Sequence, residues 1–208
     1  MSIPRFHGSL RRVALHVGAL LLAAAAGAVP AADGQTSMRV RGTITAFDGN
    51  VLSVKSRDGK DLKLRLADNA TVVAAKALKL EDLKPGDYVG STTRIKDGVP
   101  VALEVHTLAP TTPPGHIPWD LEPDTMMTNG NVAAVVQSAG AQQLTLEYKG
   151  GAQKIVVPAG TPIVTNTPAD RSFLKPGEYI WTSAQIGADG IMTAQRIQVS
   201  RDGVRPPQ

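Results

Sequence analysis

One heptapeptide occurs twice in this chain. Leu83-Lys84-Pro85-Gly86-Asp87-Tyr88-Val89 returns as Leu174-Lys175-Pro176-Gly177-Glu178-Tyr179-Ile180, each position identical or conservatively changed. Other landmarks follow in the same order. Arg41-Gly42-Thr43-Ile44 matches Asn129-Gly130-Asn131-Val132, Asp97-Gly98 matches Asp189-Gly190, and Val101-Ala102 matches Thr193-Ala194. The offset drifts from 88 to 92 residues, as a few loop insertions would produce. Self-similarity of this kind means two copies of one supersecondary unit. The copies span about 38–109 and 126–200.

Each copy reads as short strands. Val40, Gly42, Ile44 and Ala46 alternate with polar residues, as do Leu62, Leu64 and Leu66 with Lys63 and Arg65, the period of a half-buried strand. Asp48-Gly49-Asn50 and Asp58-Gly59 are hairpin turns that need positive φ, which glycine supplies without a Cβ clash. Lys-Pro-Gly-Asp/Glu suits a turn with Pro at its second position and Gly at its third. Leu78, Leu80 and Leu83 allow a single helical turn. Five or six strands in about 70 residues predict an all-β fold of two tandem, small OB-like barrels, because closure removes the exposed edges of so small a sheet.

Between the copies, residues 110–125 hold Pro110, Pro113, Pro114, Pro118 and Pro123. Prolines at that density exclude helix and central strand. The segment also carries Ile117 and Trp119, which a bare spacer does not need, so it is predicted to dock on a barrel. Residues 201–208 read as a disordered tail.

The 208-residue chain has a formal charge of +4, but three of its 22 basic residues, Arg5, Arg11 and Arg12, lie in residues 1–31, which hold no acid. The remainder, 19 basic against 18 acidic, is near neutral, which argues against nucleic acid as partner. Arg11-Arg12, an apolar run from Val13 to Val29 and a small-residue end occur in the order of a secretory signal. A mature chain starting near Val29 or Ala32 is expected. Intact-mass measurement of the envelope-fraction protein checks this, and a species retaining residues 1–28 would indicate an anchor instead.

The repeat pattern, from Arg41-Gly42-Thr43-Ile44 through Leu83-Lys-Pro85-Gly86-Asp87-Tyr88-Val89 to Asp97-Gly98, resembles a family of exported bacterial β-barrel domains of unassigned function. His116-Ile-Pro-Trp-Asp-Leu is similar to a linker of tandem members. The resemblance implies fold and says little about chemistry. Relatives sometimes carry a metal-transporter permease label, but one 17-residue apolar run does not make a multi-helix permease.

Cysteine is absent, which removes thiolate zinc sites, iron–sulfur clusters and cysteine nucleophiles. The mature chain keeps only His106 and His116, and holds no Gly-x-Ser-x-Gly, phosphate-loop or dinucleotide fingerprint. No enzyme is predicted. Glu104 and His106, two apart, share a strand face; His116 and Asp120, with Glu122 or Asp124, could complete a nitrogen–oxygen site for a divalent metal. Trp119 is the candidate ligand or partner contact. The sequence thus predicts a non-enzymatic binding module of the cell envelope, for an envelope protein or small ligand, with no lasting membrane insertion once the signal is removed. The alternative is a periplasmic divalent-metal-binding accessory.

Overall fold

The computed structural model describes residues 1–2, 36–138 and 141–208. The predicted signal segment, beyond its first two residues, lies outside the described residues. Among the described residues twelve strands form: β1 (Thr36–Asp48), β2 (Val51–Ser56), β3 (Asp61–Ala77), β4 (Tyr88–Lys96), β5 (Val99–Thr107), β6 (Gly115–Trp119), β7 (Thr125–Ser138), β8 (Ala141–Tyr148), β9 (Gly151–Val157), β10 (Ile163–Ala169), β11 (Tyr179–Ile186) and β12 (Met192–Val199). The fold is all-β. The predicted helical turn is a single 3-10 turn, Leu80–Asp82, matched in the second copy by Arg171–Phe173.

The strands close differently from the tandem arrangement that the repeat suggests. A closed five-stranded barrel runs β11-β1-β2-β3-β12, with β12 pairing back onto β11. A second ring runs β5-β4-β7-β8-β9 and returns to β5 through the single pair Val101↔Val156. Each ring therefore takes three strands from one copy and two from the other. The boundaries 38–109 and 126–200 delimit repeats of sequence, not closed barrels.

The cause is visible in β3. Its 17 residues run on past the end of β2, and its second half pairs antiparallel with β10 of the other copy. The chain is thereby carried to the other ring before the Lys-Pro-Gly turn is reached. That turn then docks on the opposite copy: Gly86 and Asp87 bond to Val132, and Gly177 and Glu178 bond to Ile44, with N···O distances of 2.8–2.9 Å. The pairs Gly42↔Ile180 and Gly130↔Val89 are likewise equivalent. The copies are related by an approximate dyad passing between Ala75 and Asn166, which face each other across β3 and β10. These two residues are 91 apart, the same separation as Gly86 and Gly177.

Each ring has its own core, and each core mixes the copies. Ile44, Leu52, Leu64 and Leu66 pack with Ile180 and Ile197 in the first. Val89 and Val105 pack with Leu144, Leu146 and Ile155 in the second. Full burial of each such side chain stabilises by about 1.5–3 kcal/mol. Gly86 and Gly177 share φ of 95° with open space around the Cβ position. Gly→Val at either is expected to cost about 1–2 kcal/mol from backbone strain alone; denaturant unfolding checks this, and changes within about 0.5 kcal/mol would remove the turn assignment.

The linker docks, as its apolar residues predict. Residues Gly115–Trp119 add β6 to the edge of β7, a place where Pro118 is tolerated because an edge strand leaves donors unpaired. The last residues are not a disordered tail. After a turn closed by the Arg201↔Val204 bridge, Pro206 and Pro207 are buried and Gln208 hydrogen-bonds to three side chains of the body.

Candidate functional site

The middle of the sheet runs β12-β3-β10-β5, so the dyad brings β5 and β12 to either side of the β3–β10 pair. Over this strip lies a cavity of about 630 Å³. Both copies line it: His106 from β5, Asn129 from β7, Asn166 from β10, Trp181 from β11 and Gln198 from β12. Trp119 of β6 and Gln208 of the tail form its rim.

Its chemistry is set by unmet hydrogen bonds. Among the described residues, five buried side-chain polar atoms lack a partner, and four of them belong to residues of this cavity: His106 Nδ1, Asn129 Oδ1, Asn166 Oδ1 and Trp181 Nε1. An unsatisfied buried group costs about 1–3 kcal/mol, and four of the five fall in residues that line one space, each atom itself covered by its surroundings. Asn166 is held by donating Nδ2 to Gln198 Oε1 at 2.9 Å, and Asn129 by donating Nδ2 to the Pro113 carbonyl at 3.2 Å. His106 fits because its neighbour on β4 is Gly90, where a Cβ would lie 2.7 Å from His106 Nε2.

The four proposed metal ligands do not converge. Among the described residues no group of three or more His, Cys, Asp or Glu is placed to hold a metal. Asp120 is taken by Arg41, which donates Nη2 and Nη1 at 2.8 and 3.2 Å, and by Arg39 at 3.4 Å. Burial pushes the Asp120 carboxyl up, but the Arg41 hydrogen bonds and the Arg41 and Arg39 charges outweigh it and hold it below the usual carboxylate range. His116 pairs Nδ1 with the Thr128 hydroxyl at 2.8 Å and stacks on Tyr148. Glu122 is ion-paired with Arg94. Docking the linker used these groups for attachment.

Only Glu104 and His106 remain adjacent, 6% and 7% exposed, with Oε1 and Nδ1 4.0 Å apart. That is too long for a hydrogen bond, and burial disfavours both charged forms. It pushes the Glu104 carboxyl up to about 7, against hydrogen bonds from the Gln208 amide and Thr92 and the charge of Arg41. It holds the His106 imidazole down at about 4. The pair is therefore not a salt bridge in the acid range below 7.

The signs of the two linkages are opposite. Glu104 has a folded value above its ordinary 4.5, so its contribution is fully present below about 4.5 and is lost as pH rises to about 7. His106 has a folded value below its ordinary 6.5; its contribution is present above 6.5 and is lost as pH falls through about 4. Glu104→Gln removes only the first. Relative to the parent, that variant is expected to gain on the order of 2 kcal/mol between pH 5 and pH 8. Urea unfolding at the two pH values reads the difference, and a gap independent of pH would contradict the buried-carboxyl assignment.

Sequence reasoning singles out His106 and Trp119 but does not reach Asn129, Asn166, Trp181 or Gln198. One signal was available. Within otherwise matched strands, the copies diverge at these positions: Gly90 against Trp181, His106 against Gln198, Arg41 against Asn129, and Ala75 against Asn166. No protein-family model, curated protein or solved structure matches the chain. The cavity itself carries the functional argument.

Proposed function

We propose that the chain is an exported, non-enzymatic binding module of the bacterial cell envelope whose ligand occupies the cavity across the dyad. The concentration of four unpartnered buried polar atoms in residues that line one cavity carries this reading. Ligand sites combine apolar walls with a few fixed polar groups, and an OB-like barrel is a scaffold that commonly binds along a strand face. The order of cationic, apolar and small-residue zones in residues 1–31 supports export, and the likeness to an exported bacterial family agrees with it.

The lining selects ligand chemistry. Two amide oxygens accept, the Trp181 indole N–H donates, and the buried His106 is neutral near pH 7. A neutral molecule with both donors and acceptors fits; a buried ion would face no buried counter-charge among these four groups. Because matched positions of the copies differ, the ligand is asymmetric. Hydrolysis is disfavoured, since among the described residues the histidine bonded to a hydroxyl pairs with Thr128, which is fully buried.

Thermal unfolding titrated with neutral disaccharides, polyols and short uncharged peptides tests the reading. A member of the panel should raise Tm in the parent and not in Asn129→Leu or Trp181→Phe. Those variants, freed of unmet groups, should be as stable as the parent without ligand. No shift with any compound, together with clear destabilisation in both variants, would overturn it.

A further inference from the structure

The cavity does not end at Gln208. On the far side of the tail lies a second cavity of about 550 Å³, lined by Glu104, Leu78 and Ile163. Pro207 and Gln208 border both spaces. The tail is thus a partition lying in one longer groove.

Its attachment is that of a peptide in a receptor. Gln208 N donates to both oxygens of Glu104, at 3.2 and 3.0 Å. Trp119 Nε1 donates to a main-chain oxygen of Gln208 at 2.9 Å. Both contacts address the main chain, so they suit any residue at this place. Two prolines precede it and keep φ near −65°, about the value of an extended polyproline helix. Arg205 lies over the Tyr179 ring, 4.7 Å from its centroid, and the Tyr179 hydroxyl donates to Gln208 Oε1 at 3.1 Å. Aromatic side chains with an indole N–H aimed at a carbonyl beside prolines are how grooves read extended Pro-rich segments. Tyr88, the match of Tyr179, uses its hydroxyl in the same way, donating to the Thr112 carbonyl of the Pro-rich linker at 2.8 Å. Asn129, Asn166 and Trp181, whose buried polar atoms lack partners, line the same cavity as Gln208.

We infer that this groove is a binding site for an extended, proline-containing peptide of a partner protein, and that residues 204–208 occupy it in cis as a competitor. The inference rests on the binding reading above and names its ligand class. Main-chain capture by Glu104 and Trp119 supplies the anchor. Consecutive prolines lower the ordering cost, and a ligand reaching past the place of Gln208 enters the space lined by Asn129, Asn166 and Trp181.

The test uses a chain lacking residues 204–208 and an acetylated, amidated Val-Arg-Pro-Pro-Gln peptide, followed by calorimetry and tryptophan emission. The shortened chain should bind it at least about tenfold more tightly than the full chain, whose tail competes. Replacing both prolines of the peptide by alanine should weaken binding about tenfold, as should Trp119→Phe in the shortened chain, which keeps the ring and loses the donor. If the shortened chain does not fold, Pro206→Ala/Pro207→Ala in the full chain loosens the tail and gives the same readout. A folded protein that ignores the peptide to about 1 mM, or binds the alanine peptide equally, overturns the inference. Disaccharides or polyols raising Tm in that case leave the binding reading standing; failure of both removes it as well.

Discussion

Residues 36–112 expressed alone should not yield a folded monomer. Among the described residues of this copy, no strand of β1–β3 pairs with β4 or β5; each set closes on strands of the other copy. Alone, β1 and the first half of β3 lose their outer partners, and the apolar faces of Val40, Ile44 and Leu66 lose Ile180 and Ile197. A 77-residue piece with an unclosed sheet and no disulfide has little stability to spare. The one folded solution open to it is reciprocal exchange between two copies, with Ala75 facing its own twin at the dyad. Sedimentation velocity should therefore find either an unfolded chain or a dimer whose Tm rises with concentration. A folded monomer at micromolar concentration would mean that each copy closes by itself.

Gly42→Ala and Gly130→Ala should each cost about 3 kcal/mol or more. A Cβ on Gly42 would overlap the Lys55 carbonyl oxygen, and one on Gly130 the Glu147 carbonyl oxygen. Both obstacles are backbone atoms of the hairpin partner, and both glycines also pair with the exchanged strand. Relief would require opening β1 from β2, or β7 from β8. Gly90→Ala provides the contrast, because its nearest obstacle is the His106 ring, which can turn aside. It should lose about 1 kcal/mol and, with His106 displaced, much of any ligand-induced Tm shift. Guanidinium unfolding of the three variants separates the cases; equal small losses in all would mean the strands are not this close.

The contrast between repeat and topology explains what could be read from residues. Alternating Leu62, Leu64 and Leu66, the positive-φ glycines at 49 and 59 and the Leu80 turn are local features, and the chain fixes them locally. Exchange is not local. Gly42 meets the same chemistry whether the following strand begins Tyr88-Val89 or Tyr179-Ile180, since duplication made the two almost alike. What decides is the length of β3, which runs straight on through Asp68-Asn69, where a turn would have been read. The cavity was hidden for the same reason: His106, Asn166 and Gln198 become neighbours only after exchange. The metal reading of Glu104, His106, His116 and Asp120 took nearness in sequence for nearness of side chains. Arg41, sixty-three or more residues earlier than any of them, claimed Asp120 instead.

Isotope-edited NOE spectra of the full chain test the exchange most directly. Cross-strand contacts are expected between Gly42 and Ile180 and between Gly130 and Val89. Contacts between Gly42 and Val89 and between Gly130 and Ile180 would instead place each barrel within one copy, separate His106 from Gln198, and dissolve the cavity on which the functional account stands.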